Sequence, residues 1–184
     1  MVKILRYLLF PISLLYGGIV AARNLLFNLN ILKSSEFEVK TILVGNLSMG
    51  GTGKTPHVEY LTRLLKEKVK VATLSRGYGR KSHGFNTATS ESTAKEIGDE
   101  PLQFKRKFPE IKVYVDSKRV NGIIEIMSQD VTPDVILLDD AFQHRRVGRN
   151  FNIMLTDFNQ PFYNDHVLPM GRLRENKSGA ARAD

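Results

Sequence analysis

The hydrophobic and polar positions of the chain follow two different patterns. Residues 7–22 carry no charge, and the leucines after them recur on one helical face, which predicts an apolar helical segment over residues 1–33. From residue 39 onward, short β-branched runs alternate with helical stretches. That alternation is typical of a mainly parallel sheet with crossover helices. The sequence therefore predicts an α/β domain over residues 34–184, preceded by a hydrophobic segment.

Apolar runs predict the strands of this sheet. They lie at residues 41–44, 69–74, 111–115, 134–139 and 151–156. Apolar residues at helical spacing predict one helix after the first run and another over residues 117–127. Residues 81–98 are rich in Ser, Thr, Lys and Glu, and this composition predicts a mobile excursion from the sheet.

The first strand leads into a glycine-rich loop that precedes a helix. Glycines leave backbone N–H groups free to surround phosphate oxygens, and the positive end of the next helix points at the same place. Lys54 adds a mobile charge, and Thr55 supplies a hydroxyl where nucleotide-bound Mg²⁺ would sit. The predicted nucleotide-binding residues are Ser48, Met49, Gly50, Gly51, Thr52, Gly53, Lys54 and Thr55. The loop predicts a P-loop NTPase-like domain, with Ser48 where the standard pattern has glycine.

A second buried run ends in two acidic residues, Asp139 and Asp140. In nucleotide-hydrolysing folds, a carboxylate at this place holds Mg²⁺ beside the phosphates. Adjacent strand residues face opposite ways, so only one of the two acids is expected to point at the loop. His144 follows in a basic loop beside the expected metal, where a structural and a catalytic role are equally open.

Three further stretches contain candidate ligand contacts. Arg76 and Arg80 either contact phosphate or belong to a basic surface loop. Asp99 precedes Glu-Pro and an apolar helical pattern, so its spacing favours a helix cap over a catalytic carboxylate. Arg172 and Arg174 either clamp an anionic group or lie in a solvated turn.

Composition narrows the class of partner. The chain has 184 residues, a formal net charge of +8 and no cysteine. Positive charge favours a nucleotide, a nucleic acid, a phospholipid surface or a phosphorylated substrate. The lack of cysteine excludes disulfides, zinc–thiolate sites and thiol nucleophiles, and it is compatible with the cytoplasm. No aromatic–basic motif or recognition-helix pattern supports a nucleic acid partner.

The apolar segment 1–33 predicts a membrane anchor. Its uncharged stretch is shorter than the about 20 residues that cross a bilayer comfortably. Pro11, Gly17 and Gly18 interrupt the stretch, so we expect a bent helix seated in the membrane interface. The flanking basic residues are Lys3, Arg6, Arg23 and Lys33. The alternative is a buried hydrophobic helix of the domain.

Motifs along the whole chain resemble those of the tetraacyldisaccharide 4′-kinase family, which phosphorylates lipid A precursors in Gram-negative bacteria. They lie in the family's order at residues 50–56, 75–79, 98–101, 139–144 and 168–175. The resemblance implies ATP-dependent phosphorylation of a lipid A disaccharide precursor at its 4′-position. It also implies a location at the cytoplasmic face of the bacterial inner membrane, and no obligate protein partner is inferred.

The resemblance implies roles for the candidate residues. Lys54 and Thr55 would hold ATP and Mg²⁺, and Asp139 and Asp140 would serve the metal and the phosphates. Asp99 would help to activate the sugar hydroxyl, which replaces the cap that spacing alone favours. Family members continue through a region that contributes a histidine to pair with the catalytic aspartate. Residues 1–184 alone are therefore expected to bind ATP weakly and not to phosphorylate the lipid.

A membrane-associated ATPase with a regulatory or partitioning role is the alternative function. The loop of that class also contains Gly-Gly-x-Gly-Lys-Thr, but it has a lysine just before the paired glycines. This chain has Met49 at that position, which counts against the alternative.

Overall fold

A sheet of six strands forms the centre of the computed structural model, which describes residues 7–148 and 151–184. The strands are β1 (Lys40–Asn46), β2 (Val71–Ser75), β3 (Asn86–Thr87), β4 (Lys112–Val115), β5 (Val135–Asp139) and β6 (Phe151–Leu155). Their order across the sheet is β3-β4-β2-β5-β1-β6. β3 pairs antiparallel with β4, and the other strand pairs are parallel. The predicted α/β fold with a mainly parallel sheet is confirmed.

Helices lie along the chain between these strands and before them. They are α1 (Phe10–Asn28), α2 (Lys54–Leu65), α3 (Ala94–Ile97), α4 (Asp99–Lys107) and α5 (Arg119–Met127). Two 3₁₀ helices follow the sheet, at Phe162–Asn164 and Lys177–Arg182.

The core lies on both faces of the sheet, and β5 shows why its sequence is continuously apolar. Ile136 and Leu138 pack on one face with Ile123 of α5, whereas Leu137 packs on the other face with Phe104 of α4. A parallel strand covered on both faces needs apolar side chains at every position. Burying each of them stabilises the fold by about 1.5–3 kcal/mol. The strand therefore delivers the acids that follow it to a fixed edge of the sheet.

Residues 81–98 are ordered, and the prediction of a mobile excursion is wrong. β3 lies in this stretch, and Phe85 stacks on Tyr114 with the ring centroids 5.4 Å apart. Thr93 and Glu96 form a capping box at the start of α3. The Ser, Thr and Glu side chains that suggested mobility instead satisfy the backbone of turns and caps.

α1 is one continuous helix, and neither Pro11 nor the glycine pair interrupts it. Pro11 lies in the first turn, where its missing N–H has no helical partner to lose, and the helix continues through Gly17 and Gly18. Ser13 Oγ accepts a hydrogen bond from Met170 N at 2.8 Å. Small residues on this face thus bring α1 directly against the domain. Of the basic flanking residues, Lys3 and Arg6 lie outside the described residues.

The opposite faces of α1 are apolar and exposed, so the alternative of a buried core helix is also wrong. Only 17% of its most apolar window of 18 residues is buried, and the mean hydropathy of that window is 1.4. The exposed apolar side chains are Phe10, Ile12, Leu14, Leu15, Ile19, Leu25 and Leu26. By length and composition, α1 is able to cross a membrane.

Candidate active site

A cavity of about 590 Å³ opens where β1, β2 and β5 end, which is the carboxyl edge of the sheet. Open α/β sheets bind their ligands at this edge. The cavity is lined by six of the candidate residues, namely Met49, Arg76, Asp139, Asp140, His144 and Arg174. Its outer wall is formed by Tyr16, Val20, Arg23 and Asn24 of α1. The segment predicted to be a separate anchor thus forms part of the site.

The loop between β1 and α2 has the geometry of a phosphate site. Gly50 and Gly53 have φ angles of 115° and 79°, in the left-handed region that favours glycine. Lys54 Nζ donates to Gly50 O at 3.3 Å and lies 3.7 Å from Asp140 Oδ1. Among the described residues no side chain caps the start of α2, so its first N–H groups are available to an anion.

The segment 172–174 holds the beginning of this loop in place. Met49 N donates to Arg172 O and Arg174 N donates to Leu47 O, each at 2.7 Å. Ser48 and Leu173 form an antiparallel bridge, and Leu173 is fully buried. The segment is therefore a brace for the phosphate loop and not the solvated turn that the sequence left open.

Both acids at the end of β5, Asp139 and Asp140, line the cavity, although the alternation of a strand predicts that only one would. Asp140 has left the strand, because its φ of 47° lies in the left-handed region. Its Oδ1 and Oδ2 accept from Arg174 Nη1 at 3.0 and 3.1 Å. Asp139 is buried, and its Oδ1 has no hydrogen-bond partner among the described residues. An unpartnered carboxylate oxygen of this kind is costly to bury and suits a cation.

The carboxylates near Asp139 reinforce its preference for a positive partner. Burial raises the pKa of Asp139 to about 7, and the charges of Glu100 and Asp140 act in the same direction. Desolvation and the charge of Asp140 likewise raise the pKa of Glu100. Lys54 lowers both pKa values but does not cancel the effect. A bound cation would therefore favour the charged forms of both carboxyl groups.

The donor set fits Mg²⁺ only as part of a larger shell. Thr55, Asp139 and Asp140 offer the oxygen atoms that this ion prefers. Within the described residues, however, no three His, Cys, Asp or Glu side chains are grouped to hold a metal by themselves. Mg²⁺ commonly keeps water and phosphate oxygens in its shell, so a partial protein shell is compatible with the predicted metal role.

Replacing Asp139 with asparagine is expected to stabilise the metal-free protein at pH 8 by about 1–3 kcal/mol. A carboxyl whose pKa rises on folding contributes stability at low pH, which is lost as pH rises toward its folded pKa of about 7. The gain should therefore shrink as pH falls from 7 toward 4. Urea unfolding with EDTA at both ends of this range measures the difference.

An exposed acid, Asp130, provides the control. D130N should leave the free energy of unfolding within about 0.5 kcal/mol of the parent at either pH. A D139N variant that is less stable than the parent at pH 8 would contradict the burial of an unpartnered charge.

Arg119 lines the cavity and contacts the backbone of Asp139, and sequence reasoning did not identify it. It is buried, and its Nη2 donates to Asp139 O at 3.1 Å while Nη1 donates to Asp116 O at 2.5 Å. Burial lowers the pKa of Arg119 to about 10, so it stays charged at neutral pH. Its position in the predicted helix 117–127 gave no sign of this role, because the contact with β5 joins distant parts of the chain.

His144 lines the cavity as a neutral side chain at physiological pH. Burial lowers its pKa to about 4, and the charges of Arg119 and Arg76 act in the same direction. A neutral imidazole both donates and accepts hydrogen bonds. Its catalytic role stays a prediction.

Asp99 is the first residue of α4, and the helix cap is Gly98, so the expectation that Asp99 caps the helix is wrong. Glu100, which the sequence reasoning passed over, lines the cavity, and Asp99 is not among the lining residues. Gly98 has φ of 93°, and a Cβ there would lie 2.9 Å from Gly77 Cα. This close approach holds the start of α4 beside the loop that follows β2.

The candidate arginines divide into two pairs. Arg76 and Arg174 line the cavity. Arg80 Nη2 donates instead to Gly84 O at 2.7 Å, and Arg172 Nε donates to Asp165 Oδ2 at 3.0 Å. The structure therefore does not bring Arg80 and Arg172 to the cavity, because their own loops use their guanidinium groups.

A buried carboxylate joins α1 to the phosphate loop. Glu175 is 2% exposed and accepts from Asn24 Nδ2 at 2.9 Å, from Arg182 Nη2 at 2.7 Å and from Gln143 Nε2 at 3.2 Å. Gln143 Nε2 also donates to Asn46 O, at the end of β1. Neither Glu175 nor Gln143 was predicted as a site residue, since contacts between distant residues leave no periodic signal.

Comparison with known proteins identifies close relatives. The family model for tetraacyldisaccharide-1-P 4′-kinase matches residues 5–184. Proteins named tetraacyldisaccharide 4′-kinase from Flavobacterium johnsoniae and Flavobacterium psychrophilum are 55% and 56% identical to the chain over 99% and 98% of its length. The alignments cover 54% and 52% of those proteins, so the chain spans about half the length of the curated relatives it matches.

A solved structure shares the fold. It is the crystal structure of the "apo" form of LpxK from Aquifex aeolicus in complex with ATP, which is 39% identical in sequence with a TM-score of 0.89. The match covers 98% of this chain and 57% of that chain.

Proposed function

This chain belongs to the tetraacyldisaccharide-1-P 4′-kinase family, and we propose that it supplies the nucleotide-binding part of a lipid kinase. That enzyme transfers the γ-phosphoryl group of ATP to the 4′-hydroxyl of a tetraacyldisaccharide 1-phosphate, the lipid A disaccharide precursor. The observation that carries the proposal is the cavity beside the phosphate loop, which is lined by Met49 of that loop, by the acids at the end of β5 and by residues of the apolar helix α1. The cavity thus offers both a phosphate site and contact with a membrane-seated substrate.

The proposed roles follow from what phosphoryl transfer requires, namely positioning and neutralisation of charge. The N–H groups of the loop and Lys54 bind the phosphates, and Arg76 and Arg174 add positive charge to the cavity wall. Thr55, Asp139 and Asp140 would hold Mg²⁺, which would neutralise phosphate charge when bound.

We assign proton acceptance from the sugar hydroxyl to Asp99. Its position in the first residue of α4 supports this role, because Glu100 beside it feels the charges of Lys54 and Asp140. As the hydroxyl oxygen bonds to the γ-phosphorus, its proton would pass to the Asp99 carboxylate and the bond to the β-phosphate bridging oxygen would break.

The exposed face of α1 supports a location at the cytoplasmic face of the inner membrane. Apolar side chains there meet solvent in the absence of a bilayer, while Arg23 and Arg145 lie against the Phe27 ring at the other end of the helix. An apolar face next to basic groups is suited to anionic lipid surfaces. An acylated disaccharide held in that surface would reach the cavity along α1.

Glutamates in place of Leu15 and Ile19 are expected to reduce binding to vesicles of phosphatidylethanolamine and phosphatidylglycerol by roughly 10- to 100-fold. Both side chains are more than 60% exposed, so the contacts of α1 with the domain should survive. Removing residues 1–33 is a poorer test, because it also deletes Ser13, Tyr16 and Asn24, which hydrogen-bond the domain. Co-sedimentation with the vesicles provides the measurement.

The matched control places glutamates at Tyr60 and Leu64, which are exposed on α2. These changes should leave vesicle binding within about twofold of the parent. Equal losses in the two double variants would show that α1 is not the membrane contact.

The dependence of ATP turnover on the lipid acceptor tests the kinase proposal. The complete product of the gene should consume ATP with tetraacyldisaccharide 1-phosphate and not with the same lipid already phosphorylated at the 4′-position. The alternative, a membrane-associated regulatory ATPase, predicts turnover without the acceptor that rises with protein concentration. Met49 precedes the paired glycines where that class has lysine, which favours the kinase.

A further inference from the structure

A buried ion cluster joins α2 to α4 away from the cavity. Glu59 lies in the middle of α2 and is 6% exposed. Gln103 Nε2 donates to its Oε1 at 2.7 Å, and Lys107 Nζ donates to its Oε2. Arg63 Nη2 contacts the same Oε2 at 3.4 Å from within α2. Both oxygens of one buried carboxylate are thus used to link two helices.

The cluster is charged over the physiological range of pH. Burial acts to raise the pKa of Glu59, but hydrogen bonds from Lys107 and Gln103 and the charges of Lys107 and Arg63 outweigh it, so the pKa lies below its ordinary value. A buried charge is retained only where its partners are close and well placed. The link between the helices is therefore specific in its geometry.

The linked helices begin at the active site. α2 starts at Lys54 and α4 starts at Asp99. Glu59 follows Thr55 by four residues, and Gln103 follows Asp99 by four residues. Residues four apart share one face of a helix. Thr55 and Asp99 therefore lie on the same helical faces as Glu59 and Gln103, one turn nearer the start of each helix.

We infer that Glu59 is a positioning residue that fixes α4, and with it Asp99, against the helix that carries Lys54 and Thr55. This inference rests on the proposed kinase function. Glu59 itself is not among the residues that line the cavity, so it does not touch the substrate. α4 is a helix of nine residues, with Phe104 and Pro101 as its buried side chains. The two hydrogen bonds to Glu59 add directional contacts to this apolar packing and thereby define the register of α4 against α2.

Glutamine in place of Glu59 is expected to lower kcat of the complete gene product by about 10- to 100-fold, since small displacements of a reacting group have effects of this size. KM for ATP should change by less than about threefold, because the loop contacts do not pass through Glu59. Lys107→Met removes one of the two contacts from the other helix through a half-exposed side chain and keeps the one from Gln103, so it should lower kcat but no more than Glu59→Gln does. Lys107→Arg keeps the link and should retain most of the activity.

The matched control removes another ion pair of α2, which is distant from Asp99. Lys66 pairs with Glu110 beyond the last turn of the helix. Glu110→Gln should leave kcat within about twofold of the parent. The double variant Glu59→Gln with Lys107→Met should be no slower than Glu59→Gln alone, because both changes weaken the contact between Glu59 and Lys107.

Hydrogen exchange gives a reading that does not depend on kinase activity. Amides of α4 from Leu102 onward, where the N–H donates to Gly98 O, should exchange faster in Glu59→Gln and Lys107→Met than in Glu110→Gln. The variants can show this faster exchange even if the parent protein transfers no phosphate to lipid. That combination would uphold the positioning of α4 and overturn the kinase proposal. Unchanged kcat and exchange with a lowered Tm would overturn the inference. Additive losses of kcat in the double variant would also overturn it.

Discussion

Replacing Lys54 with alanine is expected to lower kcat of the complete gene product by about 10³-fold or more while leaving the protein folded. Lys54 Nζ lies against Gly50 O and Asp140, at the place where α2 begins. The ammonium group of Lys54 is directed at the phosphate site. When this group is removed, Asp140 keeps its ion pair with Arg174, so the fold should not be disturbed. Transfer of label from γ-labelled ATP measures kcat, and thermal unfolding checks the fold.

Lys68 provides the control, because it is an exposed lysine shortly after the same helix. K68A should retain the parental kcat. Activity in K54A within about tenfold of the parent would show that the glycine loop is not the site of phosphoryl transfer.

Replacing Asp99 with alanine is expected to lower kcat by about 10²- to 10⁴-fold while changing the Kd for ATP by less than about threefold. A group that accepts a proton in the transition state affects turnover, whereas Lys54 and the loop hold the nucleotide. Single-turnover kinetics and equilibrium nucleotide binding separate the two quantities.

Glu100 is the informative comparison for Asp99, since the neighbouring carboxylate lines the cavity. E100Q should reduce turnover less than D99A. A larger loss in E100Q would assign the proton transfer to Glu100. A fall in ATP affinity with unchanged turnover at saturation in D99A would make Asp99 a nucleotide ligand or a structural residue.

The sequence predicted the features that follow from local pattern. Continuous apolar runs such as Ile136 to Leu138 identify strands buried on both faces, and the glycines before Lys54 identify a loop of special backbone geometry. The carboxyl ends of such strands meet at one edge, so the sequence predicts that the loop and Asp139 lie close together.

Features that depend on contacts between distant residues were missed. Glu59 and Lys107 are 48 positions apart, and Asn24 and Glu175 are 151 positions apart, so no spacing reveals either contact. The left-handed conformation of Asp140 was missed because a non-glycine residue gives no sign of it in the sequence. The face that α1 presents to the domain was missed for a related reason: an apolar pattern shows where a helix is hydrophobic but not which surface covers it.

Transfer of labelled phosphate to tetraacyldisaccharide 1-phosphate tests the central claim most directly. The complete gene product and residues 1–184 are each incubated with γ-labelled ATP, Mg²⁺ and the lipid, and the position of the label on the disaccharide is determined. The complete product is predicted to label the 4′-position, and residues 1–184 are predicted to bind ATP weakly without labelling the lipid. Release of labelled inorganic phosphate by the complete product, with no label on the lipid, would contradict the proposed lipid kinase.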